Sequence, residues 1–96
     1  MQCSSLEEVR SNIDRIDNEI IKLIAERGNY VIQASKFKKN KASVKAPDRV
    51  DAVIAKVRNM AKEYGADANM AEALYREMIS RFVTMELQEF SNSNRT

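Results

Sequence analysis

Residues 6–37 read LEEVRSNIDRIDNEIIKLIAERGNYVIQASKF, and apolar side chains recur along them at a heptad spacing. Ser5 and Glu8 have the spacing of a capping box, which indicates where a helix begins. An unbroken heptad of this kind predicts one helix of about 33 residues, roughly 50 Å long. The ten seam positions hold nine apolar residues and one arginine: Leu6, Val9, Ile13, Ile16, Ile20, Leu23, Arg27, Tyr30, Ala34 and Phe37.

A second, shorter helix is predicted after a polar loop at residues 38–43. Pro47 suits the first turn of a helix, where its missing N–H needs no partner, and Asp48 complements the positive helix end. Gly65 is expected to end this helix in a left-handed conformation. The predicted apolar face consists of Val50, Val53, Ile54, Val57, Ala61 and Tyr64.

A third helix is predicted to begin at a cap formed by Asp67 or Asn69 and to continue to about Phe90. Residues 91–96 are polar and are expected to fray. The apolar positions of this helix are Ala71, Leu74, Tyr75, Met78, Ile79, Phe82, Val83 and Met85.

The composition supports an all-α fold in a single domain, residues 1–96. Two glycines and one proline leave too little turn material for a barrel or sandwich of many short strands. Histidine is absent and Cys3 is the single cysteine, which excludes Ser-His-Asp and Cys-His sites, zinc fingers and disulfide frameworks. No metal site is therefore expected.

The charges are nearly balanced, with a net charge of +2 from 16 basic and 14 acidic residues. Such a balance offers no broad electrostatic surface, so we expect no nucleic-acid partner. No window of about 18 apolar residues is present, and the N-terminus lacks the features of a signal peptide. A cytoplasmic protein without membrane contact is expected.

The three predicted helices are of very unequal length, and the two shorter ones cannot cover the long one. A monomer would leave much of the long apolar seam in water, which indicates a partner surface. We therefore expect a homodimer in which the long helices pair. A monomeric mass in light scattering at micromolar concentration would contradict this expectation.

Two arginines on the long helix lack an obvious structural role. Arg27 occupies a seam position, and Lys38, eleven residues later, would return to the same helix face, about 16 Å away, close enough to share a small anion. A polar seam residue can also serve only to set register or partner number. Arg10 lies about 25 Å before Arg27 and could share that anion only across an antiparallel dimer; otherwise it is an ordinary solvated arginine.

Glu86 lies at the centre of the apolar stripe of the third helix. A carboxylate there is costly unless it is paired or protonated, and burial would raise its pKa. Glu86 is therefore either paired with a buried arginine or a neutral acid that donates a hydrogen bond.

Together these residues resemble a known family, the all-helical type II (AroQ-class) chorismate mutases and the related isochorismate-pyruvate lyases of salicylate and siderophore synthesis. The resemblance covers nearly the whole chain. The segments ASKFK (residues 34–38) and APDRV (residues 46–50) are more similar to the lyases than to a typical mutase. The resemblance rests on Val9-Arg10, residues 13–17, Arg27, Lys38, residues 46–50 and Glu86.

The resemblance implies an interlocked homodimer with two sites, each built from both protomers. In that arrangement Arg27, together with Arg10 of the partner subunit, would bind the two carboxylates of a small dianionic substrate. Lys38 would reach a carboxylate and the ether oxygen, and Arg49 would line the side of the ring carboxylate. No cofactor is implied.

Two positions depart from the mutase pattern. Val50 stands where the mutases usually have a glutamate that holds the 4-hydroxyl of chorismate, and isochorismate has no hydroxyl there. Glu86 stands where the family commonly has glutamine, and a glutamate must be protonated to donate to the ether oxygen.

The resemblance thus implies an isochorismate-pyruvate lyase that forms salicylate and pyruvate, with weak mutase activity in addition. One alternative is a chorismate mutase that forms prephenate, and a 4-amino analogue of chorismate also remains open as substrate. A second alternative is a non-enzymatic helical dimerisation module, since the heptad alone would suffice for that role.

Overall fold

The computed structural model describes residues 2–93, and all the regular elements in that range are helices. They are α1 (Leu6–Ser35), α2 (Lys41–Lys45), α3 (Pro47–Tyr64) and α4 (Ala68–Ser93). The prediction of an all-α chain with one long and two shorter helices is confirmed by α1, α3 and α4, with 30, 18 and 26 residues. Helix α2, of five residues, was not predicted from the sequence. None of these four helices is long and apolar enough to cross a membrane.

The chain forms two compact units, one ending at Tyr30 and the other beginning at Val31. The last residues of α1 therefore belong to the second unit. Helices α2, α3 and α4 lie wholly in this unit, where α4 contacts both α2 and α3. The interhelical packing of the second unit thus centres on α4.

The first turn of α1 is capped by Ser5 and Glu8, as predicted, but the Glu8 carboxylate binds Ser4 and not Ser5. Ser5 Oγ accepts a hydrogen bond from the backbone N–H of Glu8 at 3.1 Å. The Glu8 carboxylate accepts hydrogen bonds from the N–H and the hydroxyl of Ser4, at 3.1 and 2.8 Å. These two bonds hold the pKa of Glu8 below its usual value. The cap is therefore shared by two adjacent serines.

The apolar seam of α1 is largely exposed in the single chain. Arg27 is half-buried, whereas its large apolar neighbours along the seam are exposed. The exposed seam residues of α1 are Leu6, Val9, Ile13, Ile16, Ile20, Leu23 and Tyr30. An apolar surface of this extent usually marks a protein–protein contact.

Helix α1 ends at Ser35, after 30 residues rather than the predicted length of about 33. The backbone N–H groups of residues 36–38 each donate to the carbonyl three residues earlier, at 3.0 to 3.2 Å. Such bonds tighten and close the last turn of a helix. Ser35 is 4% exposed and its hydroxyl donates to the Ile32 carbonyl at 2.5 Å. Lys38 consequently lies beyond the helix.

The buried apolar residues of the second unit come from α2 and α3: Val44, Ile54, Val57 and Ala61. The three on α3 recur at spacings of three and four, as the predicted apolar face requires. Tyr64 was predicted on this face but is 84% exposed. It is the last residue of α3, so no further turn of the helix encloses its ring. Leu74 and Met85, predicted to be apolar contacts of α4, are also exposed.

The turn from α3 to α4 follows the predicted chemistry at Gly65 and Asp67. Gly65 has a φ of 76°, a left-handed conformation that favours glycine. Asp67 Oδ1 accepts a hydrogen bond from the N–H of Met70 at 2.9 Å, so Asp67 caps α4. The predicted frayed tail is wrong for residues 91–93, which continue α4. Residues 94–96 lie outside the described range.

An ion-pair network joins α3 to the start of α4. Arg58 Nη1 donates to Glu72 Oε1 at 2.8 Å, to Asn69 Oδ1 at 3.1 Å and to the Ala68 carbonyl at 3.4 Å. Arg76 Nε donates to Glu72 Oε2 at 2.7 Å. The hydrogen bond from Arg76, and to a smaller extent the one from Arg58, lowers the pKa of Glu72. Asn69, the alternative cap of the sequence prediction, thus serves this network instead.

The network predicts an acid-sensitive contribution to stability. Because folding lowers the pKa of Glu72, this contribution is present above the pKa of the unfolded chain and is lost as pH falls through the folded value. We expect Glu72→Gln to lower Tm by a few degrees at neutral pH, and the difference from the wild type to vanish in acid. Glu77→Gln, which breaks an exposed pair with Arg81, is the matched control and should change Tm little. A difference that is constant with pH would contradict the prediction.

Candidate active site

Two of the predicted site residues, Lys38 and Glu86, lie close together in the second unit. Lys38 Nζ is 4.0 Å from Glu86 Oε2. This separation is within the range of an ion pair but longer than a hydrogen bond. Glu86 is only 6% exposed, as the apolar stripe predicts, and the Lys38 side chain is 27% exposed. A partly exposed ammonium group therefore lies beside a buried carboxyl group.

Lys38 is held at both ends. Its backbone N–H donates to the Ser35 carbonyl at 3.2 Å, in the turn that closes α1. Its Nζ donates to the carbonyl of Ser43, on α2, at 3.1 Å. Ordering a lysine side chain costs up to about 2 kcal/mol of conformational entropy, which this hydrogen bond helps to offset.

Helix α2 carries the acceptor that Lys38 uses. The backbone of Asn40 is extended, and its side-chain oxygen accepts a hydrogen bond from the N–H of Ser43 at 2.8 Å. Val44, at 3% exposed, anchors the helix on its apolar side. Helix α2 also contacts α4, the helix that carries Glu86.

The sequence prediction placed a polar loop over residues 38–43, and this is wrong from residue 41 onwards because residues 41–45 are helical. A single helical turn is too short to show an apolar period, and the surrounding lysines hid it. Asn40 at a capping position and the isolated apolar Val44 were the signals available. The roles of Asn40 and Ser43 were missed for the same reason.

Arg49 and Val50 lie in the first turn of α3, just after the junction with α2. Ala46 is at once the C-cap of α2 and the N-cap of α3, with a left-handed backbone at φ 34°. Val50 is half-buried and Arg49 is exposed.

The two remaining predicted residues, Arg10 and Arg27, lie on the part of α1 that belongs to the first unit. Arg10 is exposed and Arg27 is half-buried. The expectation that the long helix continues through Lys38 is wrong, because α1 ends at Ser35 and a tighter turn follows.

The pairing of an ammonium group with a buried carboxyl group can act on an oxygen atom in two ways. When the carboxyl group is protonated, both groups can donate hydrogen bonds to one oxygen as it gains negative charge. When it is ionised, it offsets the charge of the ammonium group. The protonation state of Glu86 thus decides how much charge stabilisation the pair supplies.

Comparisons with known proteins agree with this picture of a helical enzyme. A family model described as chorismate mutase type II matches residues 9–87. The isochorismate pyruvate lyase of Pseudomonas aeruginosa is 35% identical over 86 residues, which cover 90% of this chain and 85% of that protein. The chorismate mutase of Methanocaldococcus jannaschii is 30% identical over 94 residues, which cover 94% of this chain and 95% of that protein.

A third relative is a longer protein, the bifunctional chorismate mutase/prephenate dehydratase of Aquifex aeolicus. It is 34% identical over 85 residues, which cover 84% of this chain and 24% of that protein. The family match spans most of the chain, and two relatives at 30% identity or more align over nearly their full length. The chain therefore belongs to the type II chorismate mutase family and is an enzyme of that family.

Proposed function

We propose that the protein is an isochorismate-pyruvate lyase, which converts isochorismate to salicylate and pyruvate. The observation that carries the proposal is the Lys38 ammonium group 4.0 Å from the buried carboxyl group of Glu86. The similarity to the isochorismate pyruvate lyase of Pseudomonas aeruginosa supports the choice of substrate.

The proposed reaction is a pericyclic elimination. The bond between the ring carbon and the ether oxygen breaks, and a ring hydrogen moves to the methylene carbon of the enolpyruvyl group. The ether oxygen becomes the keto oxygen of pyruvate, and the ring becomes the aromatic ring of salicylate. This chemistry needs no nucleophile, metal or cofactor, so the protein has to fold the substrate and stabilise the charge on the ether oxygen.

Lys38 and Glu86 are proposed to stabilise that charge. The Lys38 ammonium group and a protonated Glu86 would both donate to the ether oxygen as the C–O bond breaks. Arg27 and the partner subunit's Arg10 would hold the two substrate carboxylates, for which the planar guanidinium fork is suited. Arg49 would line the side of the ring carboxylate.

Val50 supports isochorismate over chorismate. The residue is half-buried on the first turn of α3 and has no polar group to bind a 4-hydroxyl. A buried hydroxyl without a partner costs free energy, so chorismate would bind less well next to this side chain.

A chorismate mutase is the alternative function. The similarity to the chorismate mutase of Methanocaldococcus jannaschii, which aligns over 94% of this chain, favours it. In a mutase the ether C–O bond would break while a C–C bond forms between the enolpyruvyl methylene carbon and the ring, which gives prephenate.

Incubation with isochorismate and chorismate separately tests the choice. We expect kcat/KM to be at least about tenfold higher for isochorismate, a difference of about 1.4 kcal/mol in transition-state stabilisation. Salicylate fluorescence and mass spectrometry identify the products. Prephenate as the single efficient product would establish a mutase. Turnover of neither substrate would contradict the proposal and point to another substrate, such as the 4-amino analogue of chorismate.

We also propose a homodimer with shared sites, supported by the exposed seam of α1. Arg10→Ala and Arg27→Ala should each be nearly inactive alone, whereas a mixture should recover about a quarter of the wild-type activity. Random exchange makes about half of the dimers hybrid, and each hybrid has one intact site of two. Native mass spectrometry checks the exchange. Confirmed exchange without recovered activity would exclude sites built from both protomers.

A further inference from the structure

We infer that Asn40 is a positioning residue for Lys38. Asn40 caps the short helix α2 and thereby holds the Ser43 carbonyl that accepts the hydrogen bond from the Lys38 ammonium group. The inference rests on the proposed function only in giving Lys38 a catalytic task. Asn40 would act through Ser43 and not directly on the substrate.

The connection runs through a single residue. Ser43 donates its N–H to Asn40 Oδ1 at 2.8 Å and receives the Lys38 Nζ donor on its carbonyl at 3.1 Å. Both backbone polar groups of Ser43 are thus engaged, one by the cap and one by the lysine. The same Lys38 Nζ is 4.0 Å from Glu86 Oε2. A shift of Ser43 would therefore change the position of the ammonium group relative to the carboxyl group.

Helix α2 depends on its cap because it is so short. It has five residues, and a helix of that length does not form by itself in water. The buried side chain of Val44 and the capping bond from Asn40 hold it in place. Asn40 is exposed, so its replacement should leave the core intact, whereas a smaller residue at Val44 would not.

Lysine needs such support more than arginine does. Its ammonium group is strongly hydrated and sits on a flexible four-carbon stem. The side chain of Lys38 is 27% exposed, so water is within reach. Without the Ser43 acceptor, the ammonium group would spend more time in solvent and less time beside Glu86.

The test compares Asn40→Ala with Asn40→Ser, which retains a capping oxygen. We expect Asn40→Ala to lower kcat about tenfold with a smaller change in KM and little change in Tm, because loss of a cap shifts a local equilibrium by about that factor. Asn40→Ser should restore most of the activity. Asn59→Ala, an exposed asparagine within α3, is the matched control and should behave as the wild type. An active Asn40→Ala, or an Asn40→Ser as impaired as Asn40→Ala, would overturn the inference.

A second measurement separates this inference from the proposed function. Acylation of lysine side chains by a water-soluble activated ester reports whether Lys38 is held by the Ser43 carbonyl. Mass spectrometry gives the rate at Lys38 relative to the rate at the exposed Lys56. We expect Asn40→Ala to raise that rate at least about threefold, whichever substrate is turned over. An unchanged rate would overturn the positioning role. Loss of activity in Lys38→Ala with normal activity in Asn40→Ala would overturn only the present inference, whereas an active Lys38→Ala would overturn the proposed role of Lys38.

Discussion

Lys38→Ala should lower kcat by about a hundredfold to a thousandfold, which is the usual cost of removing one donor to a developing oxyanion. In the structure the Lys38 ammonium group is fixed by the Ser43 carbonyl and lies 4.0 Å from Glu86 Oε2. Charge on the ether oxygen appears mainly in the transition state, so KM should change much less than kcat. Steady-state kinetics on the preferred substrate provides the measurement.

Lys36→Ala is the matched control, since Lys36 is an exposed lysine two positions earlier and carries the same formal charge. It should keep turnover within about twofold of the wild type, as surface substitutions usually do. Lys38→Ala with unchanged kcat and a raised KM would show that Lys38 only binds substrate. In that case the charge on the ether oxygen would have to be stabilised by Glu86 without the lysine.

Glu86→Gln should change the pH dependence of the reaction more than its maximal rate. A carboxyl group donates a hydrogen bond only while it is protonated, whereas the glutamine amide donates at every working pH. Wild-type kcat/KM should therefore fall by about tenfold per pH unit once Glu86 ionises, and the Gln variant should keep its activity at the same pH. Profiles across about pH 5 to 9 provide the measurement.

Glu77→Gln is the control for this experiment, because Glu77 is an exposed glutamate on the same helix, 67% exposed and paired with Arg81. It should leave the pH profile of the wild type unchanged. If Glu86→Gln also shows the wild-type profile, the acid is another group and the proposed role of Glu86 is wrong. The buried position of Glu86 would then serve structure alone.

The long helices could be predicted because their signals are local and repeated. The heptad of α1, the proline at the start of α3 and the glycine at its end all act through the backbone of their own helix. The end of α1 was predicted about two residues beyond its position in the structure. The tight turn at Ser35 depends on particular hydrogen bonds, which an apolar period does not reveal. The exposure of Tyr64 was missed because a periodic apolar pattern does not show at which turn a helix ceases to contact its neighbours.

The site was predictable in a different way. Glu86 stood out because a charge within an apolar stripe conflicts with burial, and its burial is confirmed. Lys38 was singled out by a helical spacing that the structure does not support, and its place beside Glu86 comes from the contact of α2 with α4. Helix α2 is a single turn capped by Asn40, and it is too short to be seen from spacing along the chain. Arg10, Arg27, Arg49 and Val50 stay predictions.

The five-residue helix α2 gives the enzyme a weak point that is separate from its global fold. We expect this capped turn to open at a lower free energy than the packed helices α3 and α4, because it is held by one cap, one buried side chain and the hydrogen bond from Lys38. Mild urea or moderate heat would melt this turn first and release the ammonium group of Lys38 while circular dichroism still shows the long helices. Activity would then decline before the protein unfolds, and the working range of the enzyme would be narrower than the range over which it stays folded.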